Sequence, residues 1–132
     1  LWRVGIEDPE TGGALAILGV SDEAVVTSGN YQRYFEEDGE KYWHIIDPET
    51  AAPARSGLSS VTIVGTEGLY CDALSTALFV MGLGEAADFW REYQDFEAVF
   101  IEDDGDVFLT PGLKERFTLA EGYQTREVTV LE

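Results

Sequence analysis

Apolar and polar positions alternate in short runs along the first third of the chain. "WRVGI" (2–6), "ALAILGV" (14–20) and "AVVTSG" (24–29) read as strands, and the "EDPETGGA" after the first has the Pro and Gly punctuation of a loop. "NYQRYFEEDGEKYWHII" reads as two aromatic strands around Asp38-Gly39, a dipeptide that suits the positive φ angles of a tight hairpin. "ETAAPARSGLSS" (49–60) looks like a loop, yet it has Ala51 and Ala52 where a tight turn would normally ask for glycine. It leads into "SVTIVGT" (60–66), whose β-branched Val61, Thr62, Ile63 and Val64 favour a strand.

The period then changes. "GLYCDALSTALFVMGLG" (68–84) places Leu69, Ala73, Ala77 and Val80 or Met81 at helical spacing, with Leu74 and Leu78 widening the stripe, and ends at Gly82 and Gly84. The expectation is a largely buried helix with that stripe inward. "EAADFWREYQ" (85–94) reads as a second, more amphipathic helix with Phe89, Trp90 and Tyr93 available to pack. "FEAVFIE" (96–102) and "DVFLT" (106–110) form a strand pair around Asp104-Gly105, "PGLKERF" (111–117) a helical turn, and "REVTVLE" (126–132) a terminal strand. Hairpin strands packed with two consecutive helices predict an α+β fold, and with no repeat or internal boundary residues 1–132 read as a single domain.

Composition narrows the partners. With 45% hydrophobic residues the chain can bury a core of its own. No apolar run reaches the roughly 18 to 20 residues of a membrane span, and no basic-then-apolar leader is present. The chain opens on Leu1, so it is expected to be a piece of something longer. Acidic residues outnumber basic ones 26 to 8, a formal charge of −18, which repels nucleic-acid phosphates and anionic lipid. Nucleic acid is thereby excluded as a partner. Such a surface is either a solvated face that keeps the protein in solution, or one that attracts divalent cations or suits high salt. The single cysteine, Cys71, excludes an internal disulfide.

Candidate chemistry centres on Asp72 and Thr76, four apart on an apolar helix with Ser75 beside them. This spacing puts a carboxylate and a hydroxyl on one helix face, about the protein share that magnesium takes when a phosphate supplies its remaining oxygens. The competing reading has Thr76 bonded back to its own helix and Asp72 stabilising the helix dipole, and spacing alone favours it. His44 is the only histidine, and without a second His or paired Cys it does not make a zinc site. A carboxylate next door disfavours a Cys71 thiolate, so Cys71 reads as a small buried residue. No phosphate-cradling glycine-rich loop occurs in the chain.

"SGNYQRYFEEDGEKYWHIIDPETAAPA", then "SVTIVG", then "CDALSTALFVMG", in this order and spacing, resemble the C-terminal half of the ApbE family, the FAD:protein FMN transferases once described as thiamine biosynthesis lipoproteins. The similarity runs from about residue 2 to residue 122, with the His-hydrophobic-hydrophobic-Asp-Pro motif 28 residues ahead of the Asp-Ala helix. The resemblance implies a T-fold-related α+β half. It implies Mg²⁺ and FAD, with FAD as the substrate whose FMN half moves onto a Thr or Ser hydroxyl of a target flavoprotein, releasing AMP. By resemblance Asp72 and Thr76 match metal-binding positions, Ile46 and Ser75 match flavin-contacting positions, and His44 belongs to the same wall. The resemblance also implies a partner in the missing N-terminal half and a membrane-anchored, extracytoplasmic lipoprotein. This chain alone is then expected to bind FAD poorly and to turn over little. FAD hydrolysis to FMN and AMP, or a non-catalytic flavin-binding module, are the alternatives. One departure stands out: after Asp-Pro the family usually has Thr-Gly-any-Pro, where this chain has Thr50, Ala51, Ala52 and Pro53.

Overall fold

The computed structural model describes residues 2–30, 34–37, 40–43, 46–47, 49, 52–53 and 56–132, with the strands between 34 and 53 described by their backbone pairing alone. The alternating runs at the start form β1 (Trp2–Glu7), β2 (Ala14–Val20) and β3 (Ala24–Gly29). β1 and β2 pair as an antiparallel hairpin, Trp2 opposite Val20 and Ile6 opposite Ala16. The aromatic run gives the expected hairpin of β4 (Tyr34–Glu37) and β5 (Glu40–Trp43), Tyr34 opposite Trp43. The Asp38-Gly39 connection lies outside the described residues. Next comes a minimal hairpin, β6 (Ile46–Asp47) against β7 (Ala52–Pro53), so "ETAAPARSGLSS" begins as part of a pairing rather than as a plain connector.

β8 (Leu58–Gly65) leads into α1 (Gly68–Met81) and α2 (Leu83–Tyr93), and the chain returns through β9 (Glu97–Glu102) and β10 (Val107–Leu109). Among the described residues one sheet has the order β3-β8-β9-β10, with β8 antiparallel to both neighbours and β9 antiparallel to β10. The two helices are thus inserted between its central strands. A 3-10 turn at Pro111–Leu113 realises the helical turn predicted there. β11 (Phe117–Leu119) then pairs antiparallel with β2, and β12 (Val128–Val130) joins the outer side of β10 in parallel.

Period-two alternation on β8 and β9 organises the core into three layers. Val61, Ile63, Ala98 and Phe100 face the helices, where Cys71, Leu74, Leu78, Phe79, Ala86 and Trp90 meet them. Val64, Val99 and Ile101 face the other way, onto Ile6, Leu15, Leu18 and Val20 of the β1-β2 hairpin. Fully burying one such side chain is worth about 1.5–3 kcal/mol, so the large interior residues Phe79, Phe100, Leu15 and Leu18 dominate the favourable side. Trp90 also satisfies its ring N–H, which donates to the Phe96 carbonyl at 3.0 Å.

The inward stripe of α1 differs from the spacing-based expectation. Its buried residues are Cys71, Leu74, Ser75, Leu78 and Phe79, whereas Leu69 is 84% exposed, Ala73 and Ala77 are exposed, and Met81 is 36% exposed. The helix is apolar on almost every side, so spacing permits several inward faces and the partner sheet selects one. On α2, Trp90 is buried and Phe89 half-buried, but Tyr93 points to solvent. The helices meet at Gly82, whose φ of 85° is open to glycine and strained for other residues. A Cβ there would also sit 3.2 Å from the Ser56 carbonyl oxygen.

Candidate functional site

α1 carries Asp72 and Thr76 on the border between its buried and exposed sides, and both residues are exposed. They lie one helical turn apart, with side chains stacked along the same face. Asp72 is the fifth residue of α1 and the first turn holds no acidic group, which weakens a helix-dipole role for it. The back-bond expected of Thr76 belongs instead to Ser75, whose hydroxyl donates to the Asp72 carbonyl at 2.9 Å. Thr76 bonds across to β3, with its Oγ1 3.2 Å from Ser28 Oγ. The same Ser28 oxygen lies 2.8 Å from Ser75 Oγ.

Ser75 is fully buried, and its hydroxyl is turned toward β3 and its own helix. In this chain it has no solvent-facing surface. Its observed work is to tie α1 to β3. Ile46 is the first residue of β6, opposite Pro53, with only its backbone described. His44 lies outside the described residues, as do Thr50 and Ala51 of the loop that departs from the family pattern, while Ala52 and Pro53 form β7. Cys71 is buried, and burial pushes its thiol above the ordinary value, as expected of a packing residue rather than a nucleophile.

Ser28 escaped sequence reasoning. The signal that could have found it is the alternation of β3, which puts position 28 on the side of Ala24 and Val26, both packed against the helix-facing core. A hydroxyl at such a position needs a partner, and α1 supplies two.

The donor set on α1 fits a hard divalent cation: one carboxylate and one neutral hydroxyl, both exposed and both oxygen, while the adjacent Cys71 thiol is buried. Carboxylates also gather at the β9-β10 turn, where Glu102, Asp104 and Asp106 hold oxygens within 4.8 Å of one another. Burial raises the Glu102 carboxyl above its ordinary value, helped by the negative charges of Asp104, Asp106 and Asp103. Asp104 has a structural task there, accepting the Asp106 N–H at 2.9 Å to close the turn. A cleft of about 420 Å³, lined by Leu109, Phe117, Leu119, Val128, Val130 and Lys114 among others, opens on β10, β11 and β12 rather than on α1.

Comparison with known proteins bears on this arrangement. A sequence model described as the ApbE family matches residues 1–100. An FAD:protein FMN transferase of Klebsiella pneumoniae (strain 342) is 34% identical over 97% of this chain and 42% of its own length. One from Treponema pallidum (strain Nichols) is 44% identical over 87% of this chain and 32% of its own. The crystal structure of the ApbE protein of Thermotoga maritima superposes with a TM-score of 0.76 at 34% identity, covering 87% of this chain and 38% of that one. The chain therefore spans well under half the length of these relatives. Matched over most of its residues in sequence and in backbone, the chain belongs to the ApbE family.

Proposed function

We propose that this chain is the metal-binding portion of a magnesium-dependent FAD:protein FMN transferase. The observation that carries the reading is the exposed Asp72–Thr76 pair on α1, within a chain that matches transferases of that name. Asp72 would supply the carboxylate and Thr76 the hydroxyl oxygen of the cation site. Bound magnesium would neutralise charge on the FAD pyrophosphate and hold it for in-line displacement. In the transfer itself an acceptor Thr or Ser oxygen bonds to the FMN phosphorus, the bond to the AMP phosphate breaks, and the hydroxyl proton is released. Ile46 and His44 are proposed for the flavin wall, following the family pattern.

The site is proposed to be completed by a further part of the same protein. Supporting this, the relatives are two to three times longer, and α1 leaves Leu69, Ala73, Ala77 and Met81 uncovered next to the candidate ligands. Contiguous apolar surface of that kind usually marks a contact. An extracytoplasmic, membrane-anchored setting is proposed on the family resemblance; no described helix is long and apolar enough to cross a membrane.

The test incubates the intact protein with FAD, Mg²⁺ and a candidate flavoprotein and follows covalent flavin by fluorescence in a denaturing gel. Fluorescence on the acceptor is the expected result. FAD bound but left intact would overturn the transferase reading in favour of a binding module. Free FMN appearing without an acceptor would replace it with hydrolysis.

A further inference from the structure

We propose that Ser28 is a positioning residue for the cation site, fixing the Thr76 hydroxyl with its hydrogen turned inward and its lone pairs outward. The inference rests on the reading of Asp72 and Thr76 as magnesium ligands. It follows from counting protons in a chain of three hydroxyls, each of which has one hydrogen to give.

The chain starts at a group that can only accept. The Asp72 carbonyl takes the Ser75 hydroxyl hydrogen at 2.9 Å, so Ser75 has none left for Ser28. The 2.8 Å contact between Ser75 Oγ and Ser28 Oγ must then be donated by Ser28. Ser28 has now spent its hydrogen as well. The 3.2 Å contact between Ser28 Oγ and Thr76 Oγ1 is therefore donated by Thr76. The order Thr76 to Ser28 to Ser75 to the Asp72 carbonyl is set by that terminal acceptor.

The consequence for Thr76 is specific. A neutral hydroxyl ligates a cation through a lone pair, with its hydrogen pointing elsewhere. On an exposed helix face that hydrogen would otherwise rotate among water partners, and binding would have to stop it. Ser28 gives it a fixed acceptor on β3, a strand anchored to β8 through Ser28 opposite Val61 and Gly29 opposite Ser60. Ser75, fully buried, supplies the interior link. Thr76 is thus preorganised as an acceptor, and less ordering remains to oppose the ion. The chain ends on the backbone of Asp72, the residue that bears the other candidate ligand.

Magnesium affinity of the intact protein, measured by isothermal titration calorimetry without FAD or acceptor, tests this apart from catalysis. Ser28→Ala should weaken binding about three- to tenfold, the usual worth of one hydrogen bond. Ser28→Thr keeps the hydroxyl and should bind within about twofold of the wild type, and Ser28→Ala should add nothing to Thr76→Val, because Ser28 acts through that hydroxyl. If Ser28→Ala binds like the wild type while Asp72→Ala does not bind, the metal site stands and the role of Ser28 is overturned. The same role is overturned if Ser28→Ala weakens binding equally in the Thr76→Val background, since its effect would then come from the fold. If neither Asp72→Ala nor Thr76→Val alters binding, the metal reading fails and this inference fails with it.

Discussion

Thr110 ties two strands together with one side chain. It has no exposed surface, its Oγ1 accepts the Ala98 N–H at 3.0 Å, and its own N–H donates to the Ala98 carbonyl at 3.1 Å. Thr110→Val keeps the shape but orphans a buried donor, so stability should fall by about 1–3 kcal/mol. A urea melt should show a lower midpoint with an unchanged slope. Asp8 is a second such residue. Burial alone would raise its carboxyl, but the Glu10 N–H, Tyr123, Thr11 and the Arg126 guanidinium together hold it below the ordinary 3.8. The Arg116 guanidinium likewise holds Glu23 below 4.5, with their nearest atoms 2.7 Å apart. Depressed carboxylates contribute stability that is present above their unfolded values and lost as pH falls through the folded ones. Glu102 has the opposite sign: its raised carboxyl weakens the fold at neutral pH, and protonation relieves it. Melting temperature should therefore gain from Glu102 as pH falls from neutral toward its ordinary value of 4.5, and lose the Asp8 and Glu23 contributions as pH falls below their ordinary values. A curve that declines steadily from neutrality would contradict these assignments. That Asp72 and Thr76 share one helix face was legible in the sequence because i, i+4 spacing holds on any helix, whereas their metal role is implied only by the family resemblance. The hydroxyl chain behind them was not legible, since it joins residues 47 positions apart through a strand pairing that no local pattern specifies.

The elements with a long period or a turn signal were visible in advance. α1 and α2 start and stop within a residue or three of the expected 68–84 and 85–94, and the hairpins of β4 with β5 and β9 with β10 sit where Asp38-Gly39 and Asp104-Gly105 implied. Gly105 has a φ of 93°, which explains its place in the turn. β11 and the direction of β12 were not visible. Three residues carry too little alternation to define a strand, and the parallel pairing of Val128–Val130 with β10 depends on where the intervening loop is pinned. That loop is held by Arg126, which donates to the Gly105 carbonyl at 2.8 Å and packs its guanidinium over the Tyr123 ring. The exposed face of α1 yields a prediction at this scale. If Leu69 packs against a further part of the intact protein, Leu69→Glu should cost about 2–4 kcal/mol there, through lost burial and a misplaced charge. An unchanged melting temperature would show that the face meets water instead.

At the scale of the whole molecule, a three-layer fold presents one helix whose inner side is locked to the central sheet and whose border displays an oxygen pair to solvent. The charge of −18 favours cations over phosphates on the bare surface, so an anionic substrate is best received where a cation mediates. The chain covers 42% and 32% of two relatives, and under the proposed function the uncovered helix face is where a further part of the protein would pack. The central proposal is that Asp72 and Thr76 hold a magnesium ion on which flavin transfer by the intact protein would depend. Its most direct test is the magnesium dependence of covalent FMN transfer by the intact protein at saturating FAD, compared between wild type and Asp72→Ala. The account predicts saturable magnesium dependence in the wild type and a rate at least about 100-fold lower in the variant, the loss of several kcal/mol of charge stabilisation. Equal transfer by both proteins, or transfer that persists unchanged in a chelator, would contradict it.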